Sequence, residues 1–244
     1  MIDAQTYLNE QCEKGYHHPY TVQLLVEKDV KLNPENLPEK FVVSDPEPIE
    51  NALQIFSPAL IQTWDWPDAE EAVSKTKALI EISDGPADAL DRKDRLQNFH
   101  NAVQALLRVV QPVAIHWLPS QRIVNPQRYI EDLAEGGLLF SSAVNVRMFK
   151  IEQSAERIMD TMGLTALGCW DLQSHFINLD PSQMGLYLYH LAEYVFERGD
   201  VIRDGDSVEG LQPTERWKCR KESSYVPPTR RVINVTPGAF APTS

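Results

Sequence analysis

The chain has 244 residues, 43% of them hydrophobic and 24% charged, which is enough to bury a sizeable core and excludes wholesale disorder. A net charge of −12 repels phosphate backbones and speaks against general nucleic-acid binding. Three Cys cannot form a disulfide framework. The N-terminal Met1–Leu8 has neither a basic nor an apolar leader, and no apolar run approaches the roughly 18 residues of a membrane span. A cytoplasmic, membrane-free protein is expected.

Taken in chain order, Tyr20–Val26 alternates and predicts a strand with Val22, Leu24 and Val26 on one face. Ser44 or Asp45 can cap a short helix whose apolar side is Ile49, Ala52, Leu53 and Phe56. Pro58 interrupts, and Ala59–Thr63 resumes as a strand. Asp65-Trp66-Pro67 opens a helix with Ala69, Ala72, Val73 and Thr76 inside. Leu79–Ile82 predicts a strand that ends at the turn Ser83-Asp84-Gly85-Pro86. In helix 91–110, Leu96, Phe99, Val103, Leu106, Leu107 and Val110 form one continuous stripe, which stops before Pro112. Val113–Trp117 is the next strand. This order is ferredoxin-like with one helix inserted.

The second half gives a weaker version of the same order. Residues 126–134 predict a helix broken by Gly136-Gly137, then strands around Val144–Met148 and over 169–177. Asp180-Pro181-Ser182-Gln183 is a capping box for a helix that buries Met184, Tyr187, Leu188, Leu191, Tyr194 and Val195 and closes at Gly199. Asp204-Gly205 predicts a hairpin turn, and Val232–Val235 a last strand. The expected class is α+β: two ferredoxin-like halves, 1–122 and 123–244, packed as one body, with mostly antiparallel sheets and helices on one face.

Charge is distributed unevenly along the chain. Residues 1–91 hold 18 acidic and 6 basic side chains, whereas 92–244 hold 17 of each. Arg216, Lys218, Arg220, Lys221, Arg230 and Arg231 cluster around the single acid Glu222 and read as a solvated basic strand and loop, or as a contact for an acidic face.

Few constellations carry chemistry. Asp171, Gln173 and His175 stand at i, i+2 and i+4, so a strand places them on one face, where a carboxylate near an imidazole could orient a general base. The same pattern also describes an ordinary polar strand face. His116, in Ala114-Ile115-His116-Trp117, reads as a core histidine with a catalytic role as the alternative. Cys12, Cys169 and Cys219 lack metal-ligand spacing, and no nucleotide, zinc-protease or nucleophile-elbow motif is present, so no cofactor or metal is expected. Glu70-Glu71 falls on an exposed helix face. Trp64 and Trp66 read as core or groove packing, since no basic residues interleave them as in a base-stacking platform.

Several segments, taken together, carry a resemblance: Thr63-Trp64-Asp65-Trp66, Ala114-Ile115-His116-Trp117, Asn145-Val146-Arg147, Asp160-Thr161-Met162-Gly163-Leu164, Gly168-Cys169-Trp170-Asp171-Leu172-Gln173, and Gly199-Asp200 with Asp204-Gly205. From about residue 20 to 237 the chain resembles a bacterial family defined as a domain of unknown function, DUF4261. That resemblance implies a bacterial cytosolic protein and carries over no catalytic residue. The expected function is a non-enzymatic protein-binding module, such as an immunity or adaptor protein of a secretion or competition system. Its surface of Glu70, Glu71, Trp64 and Trp66 would hold a basic protein partner rather than nucleic acid or membrane. A small hydrolase or isomerase using His175 with Asp171, helped by His116, is the alternative.

Overall fold

The computed structural model describes residues 20–32, 41–84, 91–135 and 139–242. The expected turn at Gly85-Pro86 and the break at Gly136-Gly137 lie outside them. The architecture is α+β, with two mostly antiparallel sheets. No helix among the described residues is long and apolar enough to cross a membrane.

The described residues up to Asn145 form one compact unit and those from Val146 onward a second. The chain therefore passes between units beyond the 122/123 boundary that element order suggests. The reason is local, because residues 122–124 pair with the strand before them and stay in the first sheet.

At the centre of the first sheet lies β1 (Thr21–Val26), buried at every position except the half-buried Gln23. It pairs antiparallel with β4 (Ala78–Asp84) on one side and β5 (Ala114–Trp117) on the other. β2 (Phe41–Val43) and β3 (Glu47–Pro48) line the outer edge of β4, and β6 (Arg122–Val124) extends the sheet beyond β5. The helix Arg92–Leu107, here α4, joins β4 to β5 across the intervening β1, a split β-α-β crossover. Asp91 caps it by accepting from the Lys93 N–H. Its stripe of Leu96, Phe99, Val103 and Leu106 is buried as the periodicity predicts, with Phe99 against Tyr20 and Trp117.

Two expectations in this unit are corrected. Residues 52–55 and 57–60 are the short helices α1 and α2, so Ala59–Thr63 is not a strand. Pro58 sits in the first turn of α2, where its missing N–H costs nothing, and so starts a helix instead of interrupting one. Ser44 caps no helix; its Oγ accepts from the Glu81 N–H at the sheet edge. The helix after Pro67 is present as α3 (Ala69–Ser74), followed later by α5 (Pro126–Ala134) and α6 (Leu139–Ala143).

In the second unit the strands are β7 (Asn145–Lys150), β8 (Arg157–Met162), β9 (Asp171–Phe176), β10 (Ser207–Glu209), β11 (Arg216–Ser223) and β12 (Arg231–Thr236), in the order β10-β11-β12-β9-β8-β7. β9 and β12 are direct parallel neighbours, with Val232 opposite Asp171, so no third strand splits this crossover. Between β9 and β10 runs α7 (Pro181–Arg198), capped by Asp180 and closed by Gly199 in a positive-φ conformation. It buries Met184, Leu188, Ala192, Val195 and Phe196. Tyr187 and Leu191 are only half-buried, and Tyr194 is exposed, so the inner stripe is rotated from the expected one. Asp204-Gly205 does turn, but it is not the hairpin loop: β10 and β11 join through residues 210–215, and the Gly205 N–H donates instead to the Cys219 carbonyl.

Candidate functional site

One face of the second sheet is polar, and its centre is charged. In β8, Asp160 is fully buried and accepts from Arg147 Nε at 2.9 Å and from Nη2 groups of Arg147 and Arg230 at 2.6 Å each. In β9, Asp171 accepts from Arg230 Nε (3.2 Å), the Thr161 and Thr165 hydroxyls and the Leu164 N–H. Two carboxylates thus face two guanidiniums in a desolvated four-residue network. Burial raises the Asp171 pKa, with Arg230 pulling it back down. Burial also works against the Arg230 charge, but Asp171 and Asp160 outweigh it and raise its pKa.

Beyond the network the same face opens towards solvent. Gln173 donates to Glu222 and accepts from the Tyr225 N–H, while Asn234 donates to the Tyr225 hydroxyl. Burial first, and Glu222 second, push the Tyr225 pKa up to about 12. His175 Nε2 lies 2.7 Å from Glu156 Oε2, with both side chains about a third exposed, and the ring meets Tyr225 edge-on. Arg216, Lys218 and Arg220 project from β11 as an exposed basic row, whereas Trp217 and Cys219 between them are buried. Arg230 does not belong to that row; it is 3% exposed and held by the network.

Residues 160–236 match the family model described as Domain of unknown function (DUF4261). The matched segment contains Asp160, Asp171, Gln173, His175, Glu222, Tyr225, Arg230 and Asn234, and so most of the polar face. It covers less of the chain than the span from about 20 to 237 that carries the resemblance. No curated protein and no solved structure matches the chain.

The expected catalytic pair of Asp171 and His175 does not form one site. Asp171 and His175 do share a face of β9, but four residues along a strand separate their Cα atoms by about 13 Å. The carboxylate at the His175 ring is Glu156, and Asp171 is consumed by Arg230. Sharing a strand face is not sharing a site. His116 lies in the first sheet, where its Nδ1 is 2.9 Å from Gln23 Oε1 and Phe56 packs edge-on against its ring. Among the described residues, no group of three His, Cys, Asp or Glu is placed to hold a metal.

Burial lowers the His116 pKa from 6.5 to about 4. Unfolding frees the ring to take up a proton near 6.5, so stability is complete above that pH and is lost as pH falls from 6.5 towards 4. An NMR titration should find His116 neutral at pH 6.5 and taking up its proton only as the pH nears 4. A midpoint near 6.5 would contradict its burial.

The binding candidates lie in the first unit. Glu70 and Glu71 are exposed on α3, where Glu71 pairs with Lys75 at 2.8 Å. Trp64 is 69% exposed, so core packing does not account for it. Trp66 does pack, half-buried, against the cluster of Ala52, Phe56, Ala59 and Ile123. The Asp160–Arg147–Arg230–Asp171 network escaped the sequence reading. Its signal was available in Arg147 within the apolar run Val144–Met148, a charge where a strand should be buried.

Proposed function

We propose that the chain is a non-enzymatic protein-binding module, an immunity or adaptor protein of a bacterial secretion or competition system, whose acidic N-terminal part holds a basic protein partner. One observation supports this reading most. The exposed Trp64 stands in a run of carboxylates, Asp65, Asp68, Glu70 and Glu71, all exposed on the surface. An indole left in water is costly for a monomer and is the commonest anchor of a binding hot spot. Carboxylates around it steer a cationic partner and discriminate against an anionic one.

Binding should therefore weaken with salt, and more steeply for the wild type than for a charge-reversed Glu70→Lys/Glu71→Lys chain. Pull-down from the native host with wild type, the charge-reversed chain and Trp64→Ala tests the surface. The wild type should capture a basic protein that both variants lose by at least about tenfold. An unchanged partner list in both variants would remove this surface from consideration.

A hydrolase or isomerase is the second reading, favoured by the partly exposed His175–Glu156 pair on the polar face. Asp171 cannot serve His175 in it, for the reason of distance given above.

A further inference from the structure

The helical segment formed by α1 and α2 is apolar on both sides. Ala52, Phe56 and Ala59 are buried against Leu25, Val73 and Ala114 of the first unit. Leu53, Ile55, Ile61 and Trp64 stand outside, and Ile61 is 73% exposed. A helical segment with apolar residues all round ordinarily has protein on both sides. Here, among the described residues, only the inner side is covered. The charge around the outer side has one sign: residues 41–74 contain seven Asp and Glu and no Lys, Arg or His. Arg122 takes Asp65 and Lys75 takes Glu71, but Glu47, Glu50, Asp68 and Glu70 are exposed and make no ion pair among the described residues. These carboxylates precede and follow the apolar segment. Its complement is therefore apolar in the middle and cationic at the sides, and an anionic membrane surface is repelled.

We propose that this face takes an amphipathic cationic helix of the partner, with its apolar stripe on Ile55, Ile61 and Trp64 and its Lys or Arg side chains on Glu50, Asp68 and Glu70. The backbone decides the form. The N–H groups of Ile55, Ile61, Gln62 and Thr63 are spent on carbonyls three or four residues back, so the face offers no open edge to which a strand could be added. A helix arrives with its own backbone satisfied, which suits a face that gives only side chains. The inference rests on the docking surface proposed above and names the element of the partner that fills it.

The probe is a helical peptide of about 18 residues with Leu at i, i+3, i+4 and i+7 and Lys elsewhere, added to the full chain. Its controls are the same composition scrambled, the same stripe with Glu for Lys, and the same charge with Ser for Leu. The probe should bind saturably and shift the Trp64 indole and the Ile55 and Ile61 methyl signals in NMR, while those of Leu186, exposed on α7, stay put. Each control should bind at least about tenfold more weakly. Ile55→Ser/Ile61→Ser should weaken the probe at least about tenfold, and Leu186→Ser should not. The idea is overturned by no saturable shift at these three residues, by equal affinity for the scrambled or the Glu peptide, or by undiminished affinity in a folded Ile55→Ser/Ile61→Ser chain. The wild-type shifts and the control peptides decide the matter even where that variant fails to fold. In the pull-down above, Ile55→Ser/Ile61→Ser should lose the captured protein together with Trp64→Ala. Retention by the isoleucine variant alone overturns the helix and leaves the docking surface standing, whereas retention by all the variants removes both.

Discussion

Arg230→Met should destabilise the C-terminal unit by about 3–5 kcal/mol, the usual cost of removing one partner from a buried charge network. Without Arg230, Asp171 loses its only guanidinium among the described residues, and Asp160 retains Arg147 alone. Both carboxylates stay at 1% exposure or less, so water cannot replace the missing charge. The Asp171 pKa, already raised by burial, must then rise further and the group take up a proton. Pairing the change with Asp171→Asn removes the stranded charge and should recover part of the loss, which a double-mutant cycle reads directly. Because the chain has two units, hydrogen exchange in β8 and β9 is a better measure than a single melting curve. Wild-type protection of those strands in Arg230→Met would show that the network carries no weight.

The second large effect belongs to α4. Leu106 is fully buried beneath the first sheet's crossover helix, so Leu106→Ala should cost about 2–5 kcal/mol through lost burial and a residual cavity. Gln104 stands on the half-buried flank of the same helix, and Gln104→Ala should cost about 0.5 kcal/mol or less. Thermal melts of the two variants make the comparison. Equal transitions would mean that the apolar stripe does not face a core.

What could be read in advance follows a physical pattern. α7 is legible because Asp180-Pro181 marks its first turn, and Asp180 accepts the Ser182 N–H as such a signal requires. β8 was not legible as a strand, because Asp160 and Arg157 break its alternation. Those charges are tolerated only because arginines far away in sequence arrive opposite Asp160. A single sequence shows residue type and spacing, not which distant group will neutralise a charge. For the same reason Arg230 was grouped with exposed bases, and Asp171 with a histidine too far along its own strand. Trp64 carries two readings in the sequence, core or groove packing and a place on the binding surface, and its 69% exposure argues against the core one.

The parallel joint between β9 and β12 also sets a timetable for synthesis. β7, β8 and β9 can pair as soon as they emerge, but the partner of β9's other edge is made only after α7, β10 and β11. At roughly 5–20 residues per second, that edge waits a few seconds on the ribosome. During the wait Leu172 and Phe176 lack their full cover, and Asp160 and Asp171 await the arginine that arrives with β12. A translational stall before Arg230 would therefore leave a nascent chain with an open sheet edge and with Asp171 lacking its guanidinium, which makes it a natural client for chaperones or proteases.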